Sequence, residues 1–353
     1  MRALIYRIGS IGDAVVGIPA MRAFHSAFSP SHTTLLSDAG LDPAIGIAAL
    51  LEGSGLVDQA LSYEAPHQLH SVLALLRRVR QTRSDIALYI PPRLRSTWEI
   101  NRDRMFLRAC GIRRIIGPRR SRLSVDQLRA AGAARLTHDA TDLIEMLREE
   151  GIAAPDVEAR HFDLHLSASE QADADALLSP IAGTNLLAFA PGTKWPSKKW
   201  PLAYSHALIK RLVDELDLMP VVIGGASDRA DADALIHSAG RGMNLCGRIP
   251  VRVAACVIRR CRIFVGNDSG PMHLAYSVGV PCVVPFSAQD AAGRWEPFDR
   301  VSRVLRSDVP CAGCLLQVCP RENECLRLVT PSIVFAAVDA LVRNEQTAAS
   351  ALP

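Results

Sequence analysis

Residues 3–8 form a short, mostly apolar run that stops at Gly9, and beyond it Ala14, Val15, Ile18, Met21 and Phe24 recur at helical spacing through residue 28. This predicts a strand entering a helix through a glycine loop. Further strand candidates are 33–37 and 86–90, with helical patterns between and after them. Strands alternating with helices are expected to make a parallel sheet covered on its faces.

A second series begins after the polar, proline-bearing region between Gly151 and Gly183. LLAFAPG (186–192) predicts a buried strand ending in a loop, 202–216 an amphipathic helix, and PVVIGG (220–225) the next strand. A helix at 227–239, a strand in MNLCG, a helix at 251–261, a strand in RIFVG and a helix after Pro271 follow, and PCVVPF (281–286) closes the series. The pattern is therefore α/β, with two Rossmann-like doubly wound halves facing a cleft at the carboxyl ends of their strands. The expected division is 1–170, 171–330, and a final piece at 331–353 whose amphipathic helix (332–343) packs back on the first half and whose polar tail (344–353) frays.

Composition agrees with two compact cores: 353 residues are long enough for both, 49% are apolar and only 5% aromatic. The apolar start is interrupted by Gly9, Gly12 and Asp13 before a secretory core forms, and no uncharged apolar run reaches spanning length. A cytoplasmic protein is expected. Nine cysteines without a secretory leader point to reduced thiols or a metal rather than a disulfide framework.

Four segments carry chemistry. In RIGSIGDAV the glycine turn opens a helix whose backbone N–H groups suit an anion, and Asp13 stands in its first turn, either as a cap or as a general base. In APGTKWPSKKWP a loop after a core strand carries Thr193, Lys194, Lys198 and Lys199 between prolines, so that three ammonium groups are expected to converge on an anionic ligand. GGASDRADADAL places Asp228 near a helix start, to bond ribose hydroxyls or to cap. VGNDSGPMHLA ends a strand, passes Asn267, Asp268, Ser269 and Gly270, and starts a helix at Pro271, an arrangement suited to a nucleoside diphosphate. His273 in the first turn either reaches those phosphates or lies on the helix surface. The DAD triplets at 173–175 and 231–233 lie in alanine-rich helical patterns and are assigned to solvated helix faces.

In this order, RIGSIGDAVVGIPAMRAF, PGTKWPSKKWP, GGASDRA and NDSGPMHLAYSVGVPCV resemble the ADP-heptose:lipopolysaccharide heptosyltransferases, glycosyltransferase family 9, through nearly the whole chain. The resemblance implies the glycosyltransferase B architecture, acceptor binding in the first half and nucleotide-sugar binding in the second. It implies inverting transfer of heptose from ADP-heptose to a lipopolysaccharide inner-core acceptor without a required cofactor. Asp13 matches the catalytic base and Lys198 the lysine near the donor diphosphate. Asp268, Ser269, Gly270 and His273 match the donor loop, and Asp228 falls where the family usually has a glutamate. Thr193 is a neighbour of that site. Another nucleotide sugar, a protein acceptor, or a non-catalytic nucleotide-binding role are the competing readings. An oxidoreductase is disfavoured because neither half has GxGxxG.

Between Arg77 and Arg135 sixteen arginines stand against four acids and no lysine, which predicts one strongly positive surface. The aromatics and modules of a nucleic-acid binder are missing, so no nucleic acid is expected. Within the resemblance, this block is the acceptor region for a phosphorylated glycolipid, with peripheral contact at the cytoplasmic face of the inner membrane. Cys311, Cys314, Cys319 and Cys325 fall close enough in sequence to hold structural zinc or iron, or to remain free thiols.

Overall fold

The computed structural model describes residues 1–38, 46–64, 68–92, 94–122, 124–131 and 134–350. They form two units: Met1–Leu128 with Thr137–Ser167, and Arg129–Leu136 with Ala168–Pro353. The first contains β1 (Arg2–Arg7), α1 (Ile11–Phe28), β2 (His32–Asp38), α2 (Ile47–Leu51), β3 (Gln59–Tyr63), α3 (Leu69–Gln81), β4 (Ile86–Ile90), α4 (Thr97–Ala109) and β5 (Arg114–Ile116). Then α5 (Val125–Ala131) leads out of it, and α6 (Asp139–Glu149) belongs to it again.

The second unit contains α7 (Ala168–Leu178), β6 (Asn185–Ala190), α8 (Leu202–Leu216), β7 (Leu218–Val222), α9 (Arg229–Ala239), β8 (Met243–Asn244) and α10 (Val251–Arg259). It continues through β9 (Ile263–Gly266), α11 (Gly270–Ser277), β10 (Cys282–Pro285), β11 (Arg303–Leu305), α12 (Glu324–Arg327) and α13 (Pro331–Ser350).

Each unit holds one parallel sheet. The orders are β3-β2-β1-β4-β5 and β11-β10-β9-β6-β7-β8. In both, the chain winds outward from a central strand and then reverses, between β1 and β4 in one and between β6 and β9 in the other. A doubly wound sheet leaves a crevice beyond the carboxyl ends of the two strands at such a reversal. The loops after β1, β4, β6 and β9 are therefore where ligand chemistry is expected; those after β1, β6 and β9 carry three of the four segments singled out above, and the fourth, with Asp228, follows β7.

The central strands are buried on both faces, as a sheet sandwiched between helices requires. Residues 3–6 of β1 and all of β4 are buried. α1 turns Ala14, Val15, Ile18, Met21 and Phe24 inward, and it packs against α6. Complete burial of a side chain the size of Phe24 contributes about 1.5–3 kcal/mol.

The edge strands are where pattern reading falls short. β3 is mostly exposed, while β5 and β11 have three residues each. Such strands bury too little to show a run, so β11 lies beyond PCVVPF, where the series was expected to close. The last helix runs past residue 343 to Ser350. Its residues Val334, Val338, Leu341 and Val342 join the core of the second unit, against α8 and β10. The segment 129–136 also belongs to that unit: the Leu136 N–H donates to the Ala292 carbonyl at 2.8 Å.

Candidate functional site

In the first unit, β1 ends on a buried arginine. Arg7 is 3% exposed, and its Nη2 donates to the Asp13 carbonyl at 2.7 Å while lying 3.4 Å from Asp13 Oδ1. Its Nη1 reaches the Ile90 carbonyl at the end of β4, 3.4 Å away. One guanidinium thus ties together the two strands at the sheet's reversal. Asp13 Oδ2 accepts from the Ser10 N–H at 2.8 Å and from Ser10 Oγ at 2.9 Å. Asp13 therefore does cap the start of α1, and the same carboxylate stands at the strand end where a ligand is expected.

Gly9 makes this closeness achievable. Its φ is 140°, and a Cβ there would lie 2.5 Å from the Asp13 carboxyl carbon. A recess opens beside Arg7, lined in part by Pro91, Pro92, Arg120, Arg122 and Asp142.

The arginine block is not one open positive surface. Arg104 is buried and donates to the Gly117 carbonyl at 3.0 Å; Arg102 pairs with Asp103 at 2.7 Å, and Arg95 with Glu99 at 3.0 Å. Arg122 pairs with Glu149, Arg119 lies 3.8 Å from Glu150, and Arg135 pairs with Glu296 at 2.7 Å. Asp103 and Glu99 lie inside the counted window, whereas Glu149, Glu150 and Glu296 lie outside it, so the count overstates the surface charge. Arg93 lies outside the described residues.

In the second unit, β9 delivers Asn267, Asp268 and Ser269, all at the reversal beside β6. Asp268 is 3% exposed, and the Lys198 ammonium lies 2.6 Å from its Oδ2. Burial pushes the Asp268 carboxyl up, and the adjacent ammonium pulls it the other way. Asn267 joins the two loops: its Oδ1 accepts from the Trp200 N–H at 3.0 Å and its Nδ2 donates to the Pro191 carbonyl at 2.6 Å. Ser269 caps α11 by position and donates its hydroxyl to the Asn267 carbonyl at 3.3 Å; Gly270 and Pro271 open the helix.

The three ammonium groups do not converge. Lys199 turns to Asp231 at 2.8 Å, Lys194 is exposed, and only Lys198 points to Asp268. Adjacent residues on a short turn project differently, so Lys198 and Lys199 reach different acids. Thr193 Oγ1 accepts from the Trp195 N–H at 3.4 Å. Asp228 Oδ2 accepts from the Gly225 N–H at 2.9 Å, a capping contact, and Gly192 lets this carboxylate lie against the Lys198 loop, since a Cβ there would meet it at 2.3 Å.

His273 is 3% exposed and so is not on the helix surface; its Nδ1 lies 3.2 Å from Tyr276 Oη and its ring stands edge-on to Trp295. Trp295 Nε1 donates to Asp290 Oδ2 at 3.0 Å, and Arg294 pairs with Asp290 Oδ1 at 2.7 Å. Arg306, pushed down by burial, donates to the Asp290 carbonyl. Sequence reading missed this group. The available signal was Gln289, Asp290, Arg294 and Glu296 crowded directly after a fully apolar strand, where buried charges need partners.

Cys311, Cys314, Cys319 and Cys325 are free and line one recess together with Ser197 and Gln289. Among the described residues, no three His, Cys, Asp or Glu side chains are arranged to hold a metal ion. Among the described residues no helix is long and apolar enough to cross a membrane.

The family model for glycosyltransferase family 9 (heptosyltransferase) matches residues 72–324. Lipopolysaccharide heptosyltransferase 1 of Pseudomonas aeruginosa is 32% identical over 200 residues, 52% of this chain and 54% of that protein. The chain thus spans about half the length of this curated relative. Among solved structures, a family 9 glycosyl transferase from Veillonella parvula superposes with a TM-score of 0.72 at 17% identity, covering 97% of each chain. ADP-heptose lps heptosyltransferase II of E. coli gives 0.71 at 20% identity, covering 98% of this chain and 100% of that one. At these identities the likeness establishes the α/β fold with two parallel sheets.

Proposed function

The chain belongs to glycosyltransferase family 9, the heptosyltransferases, and from that membership we propose that it is an inverting transferase moving heptose from ADP-heptose to a lipopolysaccharide inner-core acceptor. The observation that carries the reading is the Lys198 ammonium held 2.6 Å from buried Asp268, at the strand reversal and beside the start of α11. A cation fixed there, with the positive end of a helix behind Ser269, is suited to the charge that grows on a departing diphosphate. Asp228, Thr193, Gly270 and His273 complete the donor loops in this reading.

Asp13 is the base. The acceptor hydroxyl oxygen forms a bond to the anomeric carbon while the bond from that carbon to the diphosphate oxygen breaks, and the hydroxyl proton passes to the Asp13 carboxylate. ADP leaves with the bonding electron pair, and the anomeric configuration inverts. Protein cations carry the leaving charge, so the step requires no metal ion. The recess beside Arg7, with Arg120 and Arg122 in its wall, suits phosphate groups of a glycolipid acceptor. The protein works at the cytoplasmic face of the inner membrane through that acceptor, as a peripheral enzyme.

Calorimetric titration with ADP, UDP, GDP and NAD tests the donor. ADP is expected to bind selectively; selective UDP or GDP binding changes the sugar, and NAD alone overturns the reading. Proton NMR of the product made with EDTA present then reads the anomeric configuration, and retention or a lost reaction refutes the inverting, metal-free step.

A further inference from the structure

We propose that Asn323 is a positioning residue that fixes the Lys198 turn, and that the cysteine-bearing segment 311–325 exists to present it. This rests on Lys198 being the partner of the donor diphosphate. The turn at 196–199 is a single 3-10 turn between prolines, with Lys198 N donating to the Trp195 carbonyl at 2.9 Å and Lys199 N to Pro196 at 3.1 Å. So short a turn does not hold its own shape in water.

What holds it comes from 90 or more residues away along the chain. Asn323 Nδ2 donates to the carbonyls of both Pro196, at 2.7 Å, and Lys199, at 3.0 Å, so one amide group brackets the turn from end to end. The Ser197 N–H donates to the Gln317 carbonyl at 3.0 Å, and Ser287 Oγ donates to the Ser197 carbonyl at 2.9 Å. The segment is itself anchored: Val309, Cys325, Leu326 and Val329 are buried in the core of the second unit, and the Val329 carbonyl accepts from Trp200 Nε1 at 2.8 Å.

Asn323 stands in the left-handed region at φ 56°, which asparagine and glycine tolerate better than other residues. Its side chain can therefore be removed without changing the backbone's preference. Asn323→Gly deletes both bonds and keeps the conformation. Asn323→Asp keeps the shape but turns a carboxylate oxygen toward two carbonyls.

Two measurements on the full-length protein decide the matter. Amide hydrogen exchange at Ser197, Lys198 and Lys199 should quicken in both variants, with the thermal midpoint nearly unchanged; unaltered exchange overturns the clamp. Affinity for ADP by calorimetry should fall about 10-fold or more in Asn323→Gly, the scale of a charged group displaced by a fraction of an ångström to one ångström. Introduced into a Lys198→Ala/Asp268→Asn background, where the ammonium is gone and no buried carboxylate is left unpaired, Asn323→Gly should lower it no further. An equal second loss in that background overturns the positioning role, because the asparagine would then act independently of the lysine. If the background protein binds ADP like wild type, the diphosphate reading of Lys198 fails, and the exchange experiment still decides the clamp.

Discussion

Arg7 and Asp13 are joined twice: the buried guanidinium donates to the Asp13 carbonyl at 2.7 Å and lies 3.4 Å from its carboxylate. The contact fixes the aspartate's backbone from below while Oδ2 faces Ser10. Asp13→Asn keeps an acceptor oxygen for the Ser10 N–H but removes the proposed base. Steady-state kinetics should show turnover reduced about 10²–10⁴-fold, with ADP affinity preserved. Turnover at the wild-type rate would rule out Asp13 as the base. Asp13→Ala also loses the capping contact and should cost about 1 kcal/mol of stability in denaturant titration.

The Lys198 and Asp268 pair should respond asymmetrically. Lys198→Ala strands a carboxylate that is 3% exposed, and breaking a buried pair in this way costs about 3–5 kcal/mol. Asp268→Asn removes the buried charge and should cost less. Burial raises the folded pKa of Asp268 above its usual 3.8, so the folded state binds the proton more tightly than the unfolded state. Lys198→Ala should therefore gain stability relative to Lys198→Ala/Asp268→Asn as pH falls from neutral toward 3.8. Equal pH profiles would show that Asp268 is not the stranded charge.

Arg120 is exposed on the wall of the recess beside Arg7. Arg120→Glu should raise KM for a phosphorylated acceptor several-fold at low ionic strength, and the difference should shrink as salt is added. It should leave ADP affinity unchanged. A KM insensitive to both the substitution and salt would remove this recess from acceptor binding.

The thiols should separate by reactivity. Burial pushes Cys110 up to about 11 and Cys246 and Cys261 to about 12, so almost none is thiolate near neutral pH. Iodoacetamide on native protein, read by mass spectrometry, should label Cys314 and Cys319, which are partly exposed, well before those three. Labelling of Cys261 at the same rate would mean that its surroundings open readily.

Local pattern was enough for the strands and helices that are long or fully buried. β4 falls at 86–90 and α8 at 202–216, as their periodicity indicates, because burial on one face or both writes a repeat into adjacent residues. The glycine loops at Gly9 and at Gly270 were legible for the same reason: they sit where a periodic run stops. β3, β5 and β11 were not, since edge strands bury little and leave no run to read.

For the site, the sequence by itself determined which residue types stand at the strand ends: Asp13 after β1, Lys198 after β6, and Asp268 to His273 after β9. Tertiary structure alone decided how those residues are paired. Lys198 takes Asp268 while Lys199 takes Asp231; Arg7 secures Asp13, and Asn323 brackets the lysine turn from a segment far along the chain. Periodicity records burial along neighbouring residues. Hydrogen bonds and ion pairs are chosen by distance in space, and no local pattern records which distant groups the folded sheets bring within three ångströms.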